Sequence, residues 1–386
     1  MKQRLLVLTG ELSGDIHCAE IIRHLKSLIP GVQIMGSGGQ ALEAEGVELL
    51  EHIRNLAVIG FTDIFPNILA YYRLYMRIRD LFQDETRRPC GVVLVDFAGF
   101  NLRIAALARR FNIPVMYIIP PKVWAWNKGR IKKIRRYVDK VVCLFDFEEK
   151  IYRDAGVDVT NAGNPNLDRV ADFLNTYTRG TLRQRLEATD RLLIGILPGS
   201  REKEVRRILP EALQAAKLFQ MERDRAVIAV SRAPSIAPEL IHRELEHHGC
   251  CFPVVENSFE LMADADFLVV KSGTSTLEAG LMATPMAVVY KTSWLTYQIG
   301  KRIILQDCIS LPNIVLGRKV VPELIQGEFN AAHLHITLKE RTTENSLATM
   351  ARTLEEIREH MKTYGFARNA AREIIHCFGL KAVDAR

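Results

Sequence analysis

The octapeptide Lys271-Ser272-Gly273-Thr274-Ser275-Thr276-Leu277-Glu278 follows the apolar run Phe267–Val270 and opens a stretch of helical composition. A helix N-terminus offers unpaired N–H groups and the positive end of the helix dipole, and Gly273 lets a ligand approach the backbone closely. Ser272, Gly273 and Thr274 are therefore candidates to hold a diphosphate. Glu278 lies one turn further on, where a carboxylate can accept hydrogen bonds from ribose hydroxyls. The same residues are also compatible with an ordinary capped helix carrying a first-turn carboxylate. A second such segment is Leu197-Pro198-Gly199-Ser200-Arg201, again between an apolar run and a helical stretch. Gly199 and Ser200 can supply backbone and hydroxyl donors, and Arg201 can grip a phosphate bidentately. The plain alternative is a polar βα loop. Two such loops in one predicted domain favour a nucleotide-diphosphate site. Neither has the lysine spacing of a P-loop or the GxGxxG of a dinucleotide fold, which speaks against an NTPase or a dehydrogenase.

The first half of the chain carries a different set. Gly10-Glu11-Leu12-Ser13-Gly14-Asp15 ends the first apolar run, and its glycines bracket Glu11, Ser13 and Asp15. Asp96 ends the run Val92–Val95, where a carboxylate is well placed to act as a general base. It also fits as a cap for the next helix, as does Asn101. Trp124 and Trp126, two of the three tryptophans, suit stacking on a sugar ring, an interfacial wall, or simple packing. The basic run Lys128, Arg130, Lys132, Lys133, Arg135 and Arg136 reads as a solvated helix face or as a binder of substrate phosphate or acidic lipid. Between Phe65 and Leu81, a stripe of Ile68, Leu69, Tyr72, Tyr75 and Met76 flanked by Arg73, Arg77 and Arg79 fits an interfacial helix or a helix lying on a sheet.

These segments need a scaffold that places them at strand ends. Leu5–Leu8, Val32–Gly36, Val92–Val95, Val115–Ile119 and Val141–Phe145 read as buried strands, with helices such as Ser13–Leu28 and Leu102–Phe111 between them. After a polar crossing from about Asp168 to Arg191 the pattern resumes, with strands at Leu192–Leu197, Ala226–Val230, Phe252–Val255, Phe267–Val270 and Met286–Tyr290. Apolar strands alternating with helices predict parallel sheets covered on both faces, with sites at the carboxyl ends of the strands. The expected fold is thus α/β, two doubly wound Rossmann-like domains facing each other across a cleft. The first spans 1–168 and the second 185–345, and a helical tail at about 346–386 packs back on the first.

Length and composition agree. A chain of 386 residues exceeds what one core usually supports. A hydrophobic fraction of 48% argues against disorder, and the net charge of +7 suggests an anionic partner. No nucleic-acid motif accompanies that charge, so nucleic acid is not an expected partner. The seven cysteines show no CxxC pair, which fits free thiols in a reducing compartment and suggests no zinc site. No stretch approaches the ~20 apolar residues of a membrane span, and the leading apolar run reads as a strand rather than a signal peptide. A cytoplasmic protein, peripheral on a membrane, is the expectation.

Taken in order, the segments resemble the lipid-A-disaccharide synthase family. The resemblance rests on Gly10–Asp15, Leu56-Ala57-Val58-Ile59-Gly60, Asp96 with Phe100-Asn101, Val123-Trp124-Ala125-Trp126, Leu197–Arg201, Ser272–Thr274 with Glu278, and Ser310-Leu311-Pro312-Asn313, and it runs from about residue 5 to 325. It implies a GT-B glycosyltransferase that transfers 2,3-diacylglucosamine from its UDP derivative to 2,3-diacylglucosamine 1-phosphate with inversion. The products are the β-1,6 disaccharide 1-phosphate of lipid A biosynthesis and UDP. By the same resemblance Asp96 deprotonates the acceptor 6-hydroxyl, Arg201, Ser200 and the Ser272–Thr274 turn hold the leaving diphosphate, and Glu278 holds the ribose. Glu11, Ser13, Asp15, Asn101, Trp124, Trp126, Asn164 and Asn313 then belong to the acceptor side or the cleft. No metal and no cofactor are implied, the location is the inner face of the bacterial inner membrane, and a homodimer is compatible. Three departures stand out: Ala98 replaces an expected proline, Gly163-Asn164-Pro165 replaces an expected Gly-His-Pro, and Pro120-Pro121-Lys122 differs from a serine- or glutamine-containing version. Asp96, Arg201 and Glu278 are retained, so an active transferase is expected, with room for a paralogue of altered substrate or reduced rate. Competing readings are a UDP-sugar epimerase, an N-acetylglucosaminyltransferase using another lipid carrier, or a sugar-nucleotide-binding module without turnover, for which Asn164 speaks.

Overall fold

The computed structural model describes residues 3–56, 64–124, 129–293, 297–298, 307–361 and 363–382. The chain divides into two compact units, Met1–Pro165 with Thr363–Arg386, and Asn166–Lys362.

The first unit is built on seven parallel strands: β1 (Arg4–Leu8), β2 (Gln33–Gly38), β3 (Glu48–His52), β4 (Gly91–Val95), β5 (Val115–Ile118), β6 (Lys140–Cys143) and β7 (Val159–Asn161). Their order is β3-β2-β1-β4-β5-β6-β7. The alternation of side chains along each strand sorts the apolar residues into two cores. Leu6, Leu8, Val92, Leu94 and Tyr117 face one, and Leu5, Val7, Val93, Val95 and Ile118 face the other. Leu74, Ile78 and Phe82 of the helix Ile64–Gln83, with Ile104 and Leu107 of Ala98–Arg110, close the first. Ile21, Ile22 and Leu25 of Leu12–Leu28, with Phe366, Ala370 and Ile374 of Phe366–Phe378, close the second.

The helix Ile64–Gln83 therefore lies on the sheet, but not through the stripe read from the sequence. Its buried row is Leu74, Ile78 and Phe82, while Leu69 and Tyr72 are each 59% exposed. Ile68 lies among residues whose side chains are outside the described set. Of the two readings of this helix, the one that lays it on the sheet holds.

The second unit has β8 (Leu192–Leu197), β9 (Ala226–Ser231), β10 (Val254–Val255), β11 (Phe267–Lys271), β12 (Met286–Tyr290) and β13 (Glu323–Ile325). These are parallel in the order β10-β9-β8-β11-β12-β13.

Two boundaries differ from the expected 1–168, 185–345 and 346–386. The polar stretch after Pro165 is fastened to the second unit by Asp264. The Asp264 carboxylate accepts from Gly180 N at 2.8 Å, Leu182 N at 2.9 Å and Tyr177 Oη at 2.8 Å. A buried carboxylate bonded in this way turns polar sequence into packed structure. The tail also splits. The helix Glu344–His360 buries Met350, Leu354 and Ile357 in the second unit, and only Phe366–Phe378 joins the first.

Each sheet reverses its winding once, between β1 and β4 and between β8 and β11. The loops leaving those four strands are Thr9–Glu11, Asp96–Phe97, Pro198–Arg201 and Ser272–Gly273, and each falls in a segment that stood out in the sequence. In doubly wound sheets these are the places where ligands bind.

Candidate active site

In the first unit the loop after β4 is strained. Asp96 and Phe97 have φ of +49° and +51°, successive left-handed residues without a glycine. Such a conformation persists only when neighbours over-determine it. Here Tyr117 Oη donates to the Asp96 carbonyl at 2.6 Å, Asn101 Nδ2 donates to it at 2.8 Å, and the Asp96 carboxylate accepts from Phe97 N at 2.8 Å. The Phe97 ring lies over Gly10, where a Cβ would come within 2.4 Å of it. That close approach accounts for the first glycine of the β1 loop. Burial pushes the Asp96 carboxyl above the usual aspartate value, opposed by the Phe97 N–H and the Lys122 charge. A carboxylate so tuned is a stronger base than an exposed one. Beside it, Tyr71, Tyr72, Tyr75, Phe97, Phe100 and Arg103 line a mostly apolar pocket of about 690 Å³.

Several expected site residues in this unit do other work. Asp15 is fully buried and accepts from Gly39 N at 2.6 Å and Ala41 N at 3.1 Å, so it caps the helix Gln40–Ala44 rather than facing an acceptor. Asn101 is buried under the loop, where its amide also reaches the carbonyls of Leu8 and Val95 at 3.4 and 3.3 Å. It ties the ends of β1 and β4 and caps nothing. Trp124 is buried, packs edge-on against Phe147 and donates Nε1 to Glu148 at 2.9 Å, so its face is not a sugar platform. Asn164 is also buried. Glu11 and Ser13 are exposed at the β1 end. Trp126 and residues 57–60 fall outside the described residues, as does Lys128.

In the second unit, Gly199 has φ of +121°, and Ser200 N donates to the Glu204 carboxylate at 3.3 Å. A first-turn glutamate reaching back over its own helix start holds the loop in shape. Arg201 is largely exposed and sits 3.5 Å from the same carboxylate. The loop after β11 lies alongside, because Val270 pairs with Leu197. Ser272 Oγ donates to the Ile309 carbonyl at 3.1 Å, and Thr276 Oγ1 folds back on Gly273 O at 2.7 Å. Gly273 has an extended backbone at φ of 161°, open to any residue, so no tight turn demands it. Any need for a glycine there comes from what approaches it. Glu278 is buried and paired with Arg169 at 3.3 Å, and burial raises its carboxyl above the usual value against the pull of that arginine.

Asn313 departs from expectation. Its Oδ1 accepts from Val320 N at 2.7 Å and Val321 N at 3.0 Å, and its Nδ2 donates to Val321 O at 3.0 Å and to Glu323 at 2.8 Å. An amide used so fully holds the chain entering β13 and has nothing left for a ligand. Ser310, which binds the same Glu323, is equally buried.

Sequence reasoning gave no role to Tyr117, Glu148, Arg169, Glu204 or Lys271. Lys271 carried a signal, being a cation that ends an otherwise apolar strand. Arg169 and Glu148 carried none, since their partners lie 109 and 24 residues away.

A family model described as lipid-A-disaccharide synthetase matches residues 5–376. A lipid-A-disaccharide synthase of Myxococcus xanthus (strain DK1622) is 36% identical over 375 residues, covering 96% of this chain and 97% of that protein. One from Legionella pneumophila (strain Paris) is 31% identical over 363 residues, covering 93% and 94%. Among solved structures, a UDP-GlcNAc 2-epimerase from Neisseria meningitidis superposes with a TM-score of 0.61 at 12% identity, covering 98% of this chain and 100% of that one. The glycotransferase of kitacinnamycin gives 0.62 at 15% identity, covering 98% and 100%. These structural likenesses support the GT-B fold of two parallel α/β domains, and with the sequence relatives they make the chain a glycosyltransferase. The chain belongs to the lipid-A-disaccharide synthase family.

Proposed function

We propose that the protein transfers 2,3-diacylglucosamine from UDP-2,3-diacylglucosamine to 2,3-diacylglucosamine 1-phosphate, forming the β-1,6 disaccharide 1-phosphate and UDP. The observation that carries this reading is Asp96, a strained and desolvated carboxylate next to an open apolar pocket. The acceptor 6-hydroxyl gives its proton to Asp96 as its oxygen attacks the donor anomeric carbon. The bond from that carbon to the diphosphate oxygen breaks, and the electron pair leaves with UDP. One displacement of this kind inverts the anomeric centre and needs one base. The pocket lined by Tyr75, Phe97 and Phe100 accommodates an acyl chain, with Arg103 available to a phosphate.

In the second unit Arg201 and the amide-rich start of Thr274–Leu281 meet the charge of the leaving diphosphate, so the step as proposed uses no metal. Glu278 takes the ribose hydroxyls. No helix among the described residues is long and apolar enough to cross a membrane. Exposed Leu69 and Tyr72 suit peripheral contact with a bilayer, so we place the enzyme on the cytoplasmic side of the membrane that carries its substrates.

The test is UDP release by purified protein in detergent, with UDP-2,3-diacylglucosamine, with and without the acceptor. Acceptor-dependent release with a disaccharide product is expected. Release or epimerisation without acceptor would overturn the reading, as would UDP binding without turnover.

A further inference from the structure

Lys271 has no role in the reading above. It ends β11, pairs in register with Val289 of β12, and has a side chain only 17% exposed. Its ammonium lies 2.8 Å from Glu204 Oε1 and 6.0 Å from the Tyr290 ring centroid. It also stands 3.7 Å from where a Cβ on Gly273 would be. One cation thus reaches both loops at the winding reversal of the second sheet: the Gly199–Arg201 loop through Glu204, and the Ser272–Gly273 loop directly.

Glu204 is the hub. Its carboxylate gathers Ser200 N, Arg201 and Lys271. A backbone N–H, a guanidinium and an ammonium converging on one anionic group form a donor set that suits phosphate oxygens. Two cations against one carboxylate leave the spot with a net positive charge.

We propose that Lys271 is a second ligand of the donor diphosphate, held over the Gly273 backbone by Glu204, and that it shares with Arg201 the charge of the departing UDP. This rests on the donor-site reading given above. Glu204 stays on Ser200 N and Lys271 and so fixes both loops, while a remaining N–H of the Lys271 ammonium and the Arg201 guanidinium meet the phosphates.

The test compares binding of UDP and of uridine by the purified full-length protein, for wild type, Lys271→Met, Lys271→Arg and Arg201→Met. Loss of one charge-assisted contact predicts UDP binding weaker by about 10- to 100-fold in Lys271→Met, with partial recovery in Lys271→Arg. Uridine binding should hold, because uridine lacks the diphosphate. The salt dependence of UDP binding should also be shallower in Lys271→Met. The double variant Lys271→Met/Glu204→Gln removes the ion pair without leaving a lone buried charge. UDP binding that stays weak in it supports a direct role, whereas recovery to wild-type affinity would overturn the proposal by reducing Lys271 to a partner of Glu204. If Arg201→Met weakens UDP binding and Lys271→Met does not, Lys271 alone is wrongly assigned. If wild type does not bind UDP, the donor site itself is misplaced and the proposal fails with it.

Discussion

The loops at the two winding reversals share a topology and differ in almost everything else. After β4 the backbone is strained, aromatic rings crowd the loop, and a single carboxylate is desolvated. After β8 and β11 the backbone is relaxed apart from Gly199, and charged groups pair with one another. Apolar surroundings make a base by destabilising its charge, whereas a hold on phosphate needs cations kept in place but still reachable. On the proposed reading, the same doubly wound scaffold would supply a reactive group in one unit and a charge receptor in the other, with only the loops distinguishing them.

This contrast can be broken in graded steps. Asp96→Asn should lower turnover by about 10²- to 10⁴-fold, the usual worth of a general base, while UDP binding stays within about twofold. Loss of UDP binding in a folded protein would erase the division of labour. The pH dependence of kcat/KM is the next step. Asp96 must be ionised to act, and burial raises its pKa, so the acid limb should fall above the ordinary aspartate range. An acid limb at or below that range would mean that the base is solvated during catalysis.

Smaller effects separate the two glycines of the proposed donor site. Gly199→Ala puts a side chain where φ is +121° and the Glu204 carboxylate is 2.7 Å away. It should cost about 1–3 kcal/mol, seen as a lower Tm together with weaker UDP binding. Gly273→Ala meets extended backbone geometry and only an ordinary van der Waals contact with the Lys271 ammonium at 3.7 Å, so Tm should hold while UDP binding weakens by several-fold. Equal effects of both substitutions on Tm would show that Gly273 is a folding requirement instead.

Much of the fold was legible because buried parallel strands announce themselves as continuous apolar runs, and Leu5–Leu8 and Val92–Val95 did so. The four loops were legible because strand ends in such sheets attract ligands. What resisted reading was the use to which polar residues are put. Asp15, Asn101, Asn313 and Trp124 sit in motif-like segments, yet each spends its hydrogen bonds on the protein itself. Residue type cannot separate a group that faces a ligand from one that ties down a backbone, because both need the same chemistry. The crossing after Pro165 was misjudged for a related reason, since its polar residues close on a buried Asp264 that lies more than eighty positions away. The strain at Asp96 and Phe97 left no trace in composition, because no glycine marks it.

The helix Phe366–Phe378 covers part of a sheet whose first strand begins at Arg4. Residues 366–378 must therefore be synthesised before that face of the first unit can close. Asn166–Lys362 holds all of its own strands in one continuous segment and can fold as soon as it leaves the ribosome. Until that helix arrives, the nascent first unit keeps an uncovered apolar surface, a natural target for chaperones. A frameshift or nonsense codon near residue 363 would leave Asn166–Lys362 whole while exposing an apolar face of the unit that contains Asp96.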